Sequence, residues 1–235
     1  MPEVLGTYGD TGNALILAER ARRRGIDAEV VHVGLTDDIP DSLDIYTLGG
    51  GEDTAQALAA DKFRGTSGLA RALGAGRPLL AICASLQVLG HWYEDARGLR
   101  VSGMGVLDIT TRPQGHRAIG ELVSEPLLEG LTQPLTGFEN HGGGTVLGPD
   151  AAPLGRVIAG VGNGTPKGCE PGDVAHDGVV QASIIATYMH GPVLARNPEL
   201  ADLLLARATG CDLVPLEVPG VAELRAERLA GVRPS

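Results

Sequence analysis

The sequence predicts an α/β protein: one three-layer domain over residues 1–235, with helices on both faces of a mostly parallel sheet. Three observations predict it. Short apolar runs alternate with longer amphipathic stretches up to His91. Two runs, Leu79–Cys83 and Ile184–Met189, are almost continuously apolar, as strands covered on both faces are. The 235 residues suffice for one large core, and with only 3% aromatics that core rests on Ala, Val, Leu and Ile.

The elements follow in chain order. Val4–Tyr8 is strand-like. NALILAERARRRGI, from Asn13, has helical spacing and a stop at Gly25. AEVVHVG, Ala28–Gly34, reads as a strand, and DIYTLGG as another that ends at Gly49. Residues Asp53–Leu73 are helical, with a break near Gly65. Leu79–Cys83 is a strand, and Ala84–His91 is a helix. After Val101 the texture changes to short β-like runs separated by Gly, Pro and Asn, read as short antiparallel strands that extend the sheet. Ile184–Met189 is a last buried strand, and Asn197–Thr209 is a closing helix. The tail 215–235 is a docking arm or a frayed end.

A net charge of −10 argues against nucleic acid and against unaided docking on an anionic membrane. Cys83, Cys169 and Cys211 make no disulfide framework, and their odd number fits a reducing compartment. No cysteine–histidine spacing suggests a metal site. The start lacks a basic region followed by an apolar run, and no apolar run has the length of a membrane span. A soluble cytoplasmic protein is expected.

Ligands of open parallel sheets bind beyond the carboxyl ends of the strands. Cys83 lies at such an end and at a helix N-terminus, where backbone N–H groups favour a thiolate. Alone it reads as a small core residue. His190 also follows an apolar strand, so the two emerge at one sheet edge as a nucleophile and its base. A third strand ends in LGGGED, Leu48–Asp53, where the N–H groups of Gly50 and Gly51, with that of Ala84, can face an oxyanion. Each element alone has a structural reading; three at one edge point to covalent catalysis.

With YGDTGN (Tyr8–Asn13), LGGGEDTAQ (Leu48–Gln56), GFENHGGGT (Gly137–Thr145) and YMHGP (Tyr188–Pro192), the chain resembles the class I glutamine amidotransferases, and among them the cobyric-acid-synthase-like branch. The resemblance implies a flavodoxin-like fold and hydrolysis of L-glutamine through a Cys83 thioester, with His190 protonating the departing ammonia. It implies a separate Mur-ligase-type partner that uses ATP and Mg²⁺ to amidate the D-glutamate α-carboxylate of lipid II, and no cofactor in this subunit. Arg117 matches the residue that grips the glutamine α-carboxylate, and Gln87 a glutamine-contacting position.

Asp10 and Asn13 read as helix caps without a chemical role. Ala84 stands where the elbow of this class carries glycine, and Pro192 where many members carry a glutamate. The third catalytic acid is therefore Asp177, Glu199 or Asp202, or a carboxylate supplied by the ligase, the favoured source. Three other readings remain open: an amidotransferase subunit serving a cobyrinate-type acceptor, a catalytically silent scaffold, and a cysteine-dependent α/β-hydrolase. For the hydrolase Asp150, Asp173 or Asp177 would be the acid, although Ala81 and Ser85 break its Gly-x-Cys-x-Gly frame.

Overall fold

The computed structural model describes residues 3, 5, 6, 9–95, 97–172 and 174–231. Its centre is a four-stranded sheet in the order β1-β2-β10-β9. Strands β1 (Tyr46–Leu48), β2 (Leu79–Ile82) and β10 (Ile184–Thr187) run parallel, and β9 (Val179–Gln181) pairs antiparallel with β10. Every residue of β2 and β10 is buried. Each Leu or Ile so buried stabilises the fold by about 1.5–3 kcal/mol.

Helices flank this sheet where the apolar spacing places them. α1 (Gly12–Arg22) ends before Gly25, which takes a positive φ of 74°. α2 (Asp53–Gly65) and α3 (Gly68–Gly74) are the expected pair, broken at Thr66–Ser67. α4 (Ala84–Leu89) is short and wholly buried. α5 (Val193–Arg196) and α6 (Pro198–Thr209) close the body, with Pro198 at the first helical position, where its missing N–H costs nothing.

One expectation at the sheet edge changes. Residues 28–34 form no strand ladder. They carry no regular secondary structure, and Glu29, Val31 and His32 are exposed. The neighbouring segment expected at Val4–Tyr8 includes residues 4, 7 and 8, outside the described residues, and no other ladder partner is found among those described. Between residues 26–33, α1 and β1 lies a cavity of about 680 Å³ with a mostly apolar lining.

The region after Val101 does not extend the first sheet. It builds a second one in the order β4-β3-β5-β7-β8, with β6 also paired to β5. Its strands are β3 (Trp92–Glu94), β4 (Arg100–Ser102), β5 (Ile109–Pro126), β6 (Leu135–Leu147), β7 (Gly155–Ala159) and β8 (His176–Asp177). The strands are not all short. β5 and β6 form one long antiparallel hairpin; Gly115 falls in its bulge between Pro113 and Ala118, while Gly120, Gly137, Gly143 and Gly144 are paired within the ladder. The two sheets meet where Phe138 and His190 exchange backbone hydrogen bonds of 3.2 and 2.8 Å.

The tail is neither frayed nor free along its described length. Helix α7 (Val221–Ala230) lies on the body, with Arg225 donating to Pro134 O at 2.8 Å and to Asn197 Oδ1 at 3.1 Å. Residues 232–235 lie outside the described residues.

Candidate active site

Strand β2 ends at Ile82, and the chain must then turn sharply into α4. Cys83 makes that turn with φ 50° and ψ −105°. This is the mirror image of extended backbone, open to glycine and costly for any L side chain by about 1–3 kcal/mol. The strain sits on Cys83 itself, while Ala84 is already helical, so alanine in place of the expected glycine costs the turn nothing. Two contacts hold the elbow: Cys83 N donates to Thr187 O at 2.9 Å, and Ser85 Oγ donates to Gly49 O at 2.6 Å. The three strand ends read from the sequence are thus tied together.

His190 follows β10 and is buried. Its Nδ1 lies 2.8 Å from Asp10 Oδ2. Burial of the ring works against its charge, but the hydrogen bonds to Asp10 and Cys83 outweigh it, and the His190 pKa is pushed up to about 10. At neutral pH the ring is an imidazolium between a carboxylate and the thiol. Gly50 lies against all three groups: a Cβ added there would sit 2.6 Å from His190 Cε1, 3.2 Å from Asp10 Oδ2 and 3.4 Å from Cys83 Cβ.

Asp10 is the functional residue that sequence reasoning missed. Its side chain caps no helix of its own; Oδ2 accepts from Gly50 N at 2.8 Å and faces His190. Asn13 caps a different helix, its Oδ1 accepting Leu194 N of α5 at 3.0 Å. The signal was available: Asp10 sits just after a strand-like run, as Cys83 and His190 do. None of the acids expected in its place reaches His190. Asp177 accepts Thr187 Oγ1 and Tyr188 N, Glu199 accepts three hydrogen bonds from Thr132 and Gln133, and Asp202 pairs with Arg20 and Arg24. Asp173 lies outside the described residues.

The expected oxyanion donors separate. Gly50 N–H is committed to Asp10 and is unavailable. Gly51 N–H makes no hydrogen bond among the described residues, and Ala84 N–H opens α4 without an intrahelical acceptor. Arg117 is exposed in the β5 bulge, with Nε donating to Asn140 Oδ1 at 2.5 Å, and no carboxylate pairs with it among the described residues. Asn140 is two residues from Phe138 on β6, and Phe138 bridges to His190 through its backbone. Gln87 points inward. Its Nε2 donates to Tyr188 Oη at 3.1 Å, and its Oε1 accepts Gln56 Nε2 at 2.6 Å.

The apolar cavity beside β1 reaches Asp10 and Gly49 from behind, and neither Cys83 nor His190 lines it. No cluster of three or more His, Cys, Asp or Glu suited to a metal occurs among the described residues. No described helix is long and apolar enough to cross a membrane. Cys169 and Cys211 are exposed and far in sequence from these elements.

Comparison with known proteins agrees with this geometry. The model of the CobB/CobQ-like glutamine amidotransferase domain matches residues 1–198. Subunit GatD of the glutamine-hydrolyzing lipid II isoglutaminyl synthase of Staphylococcus aureus (strain N315) is 35% identical over 234 residues, 97% of this chain and 91% of that protein. The subunit of the same name from Streptococcus pneumoniae (strain ATCC BAA-255 / R6) is 36% identical over 208 residues, covering 87% and 76%. A crystal structure of a glutamine amidotransferase superposes with a TM-score of 0.52 at 18% identity, covering 83% of this chain and 93% of the other. That likeness shows the fold, the flavodoxin-like three-layer arrangement of class I glutamine amidotransferases. The match over residues 1–198 and the two relatives at 35% and 36% identity show that the chain belongs to the CobB/CobQ-like glutamine amidotransferase family, as a glutamine amidotransferase domain.

Proposed function

We propose that this chain is the glutaminase subunit of a ligase that amidates lipid II, turning the D-glutamate of its stem peptide into D-isoglutamine. The observation that supports the glutaminase half is the buried line Cys83–His190–Asp10. The acceptor is carried over from the printed names of the two GatD relatives.

In this reading the Cys83 thiolate attacks the side-chain carbonyl carbon of glutamine, and the π electron pair moves to oxygen. Ala84 and Gly51 N–H groups receive that charge. His190 gives its proton to the amide nitrogen, the C–N bond breaks, and ammonia leaves a thioester. Water then gives a proton to His190 and attacks the thioester. Cys83 departs as thiolate, and glutamate is released. Asp10 keeps the imidazole oriented and stabilises its charge throughout. Arg117 holds the glutamine α-carboxylate, which suits a planar guanidinium. The ammonia is consumed by a separate Mur-ligase-type subunit, where ATP and Mg²⁺ act, and this subunit works without a cofactor.

Because Asp10 already occupies His190, the third acid belongs to this chain rather than to the ligase. A basal hydrolysis by the isolated subunit is therefore expected. The test is glutamate release from L-glutamine by wild type and Cys83→Ala, each with and without a Mur-type ligase, with amidation of lipid II read in parallel. Cys83-dependent release that rises with the ligase, and amidated lipid II as product, is the expected result. A folded wild type that releases no glutamate in either condition would sink the reading.

A further inference from the structure

The motif GFENHGGGT leaves two buried ionisable groups without a part in the chemistry above. Glu139 and His141 alternate along β6, so both point to one face, and they are 2% and 3% exposed. His141 Nε2 lies 3.3 Å from Glu139 Oε2, and His141 Nδ1 lies 3.0 Å from Gly143 O. Glu139 also accepts Val161 N at 2.7 Å on Oε1 and Gly162 N at 2.9 Å on Oε2. Each Glu139 oxygen thus accepts a backbone N–H, and His141 has an acceptor within reach of each ring nitrogen.

The ring of His141 stacks on Tyr188, with centroids 3.9 Å apart and planes at 23°. Tyr188 is two residues before His190. Its hydroxyl meets Thr145 Oγ1 at 2.6 Å and accepts Gln87 Nε2 at 3.1 Å. Gln87 stands one helical turn after Cys83, and its other end takes a hydrogen bond from Gln56, on the helix that follows the glycine loop. Gly143 completes the contact, for a Cβ there would be 2.6 Å from Gln87 Nε2.

We propose that Glu139 and His141 are positioning residues for glutamine: the pair fixes the plane of Tyr188, and Tyr188 fixes the Gln87 carboxamide, one helical turn after Cys83. The inference rests on the glutaminase reading. The pair acts through Tyr188 and Gln87 rather than as part of the Cys83–His190–Asp10 line.

The test compares Glu139→Gln, Tyr188→Phe and wild type in two assays. One is glutamine hydrolysis, split into KM and kcat. The other is alkylation of Cys83 by iodoacetamide and by a chloroketone analogue of glutamine. Tyr188→Phe keeps the stack and the Glu139–His141 contact, so it serves if Glu139→Gln fails to fold. Expected are a rise in KM of about tenfold with kcat retained, and chloroketone labelling slowed by a similar factor, with iodoacetamide labelling at the wild-type rate. A folded Tyr188→Phe with wild-type KM overturns the inference, as does an equal loss of both labelling rates. Wild type without Cys83-dependent hydrolysis would sink the glutaminase reading instead, and the two labelling rates would still judge the pair.

Discussion

His190 Nδ1 and Asp10 Oδ2 lie 2.8 Å apart, although 180 positions separate the two residues in the chain. The carboxylate is shared, because the same oxygen takes the Gly50 N–H at 2.8 Å. Asp10 thereby fixes both the base and the glycine loop. Replacing it with asparagine keeps the shape and removes the charge. Asp10→Asn is expected to lower kcat for glutamine hydrolysis by roughly 10³–10⁴-fold, the scale seen when a triad acid is neutralised. Glutamate release with Cys83→Ala as the blank measures it, and a variant within a few-fold of wild type would return the role to another acid.

The raised pKa of His190 makes stability depend on pH. The ordinary histidine value is 6.5, and the folded value is about 10. Below the lower value both states hold the proton, and the stabilisation is fully present. Between the two only the folded state holds it, so stability falls as pH rises and is lost through about 10. Denaturant midpoints measured across this window should fall faster for wild type than for His190→Gln. Parallel profiles would contradict the assigned charge.

Gly50 has no room for a methyl group, since a Cβ would stand 2.6 Å from His190 Cε1. Gly50→Ala is expected to push the imidazole off line and cost about 10²-fold in kcat, the usual penalty of a misplacement near 1 Å. Gly74→Ala, where nothing lies within 4 Å, is the control that should leave kcat unchanged.

Strain at Cys83 predicts an inverted order of stability. Glycine adopts φ 50°, ψ −105° freely, whereas alanine does not. Cys83→Gly is expected to be more stable than Cys83→Ala by about 1 kcal/mol, against the usual preference. Chemical denaturation of the two inactive variants decides it, and equal midpoints would mean the elbow relaxes without cost.

Cys83 and His190 were legible because each ends a buried apolar run, a pattern confined to about ten consecutive residues. The parallel sheet and the broken helix of residues 53–74 were legible for the same reason. Asp10 was not. In YGDTGN it looks like a local cap, and its bond to His190 spans the chain, which no local pattern records. Gly50 shows a similar limit: its N–H was counted as free until the fold placed a carboxylate on it. The long β5–β6 hairpin was hidden by its own glycines, since Gly143 and Gly144 are there for close approach to Gln87 and Pro166 and not to end a strand. Residues 28–34 have strand-like composition without a ladder, a reminder that β propensity describes fit to a neighbour.

Because Asp10 precedes Cys83 and His190 follows it by more than a hundred residues, synthesis delivers the thiol long before its base. A nascent chain that has already exposed its thiol holds neither the base nor the strand β10 that closes beside β2. An unfinished chain that stops short of β10 has the thiol and Asp10 without His190 between them. The three groups come together only once residues 180 positions apart in the chain have met.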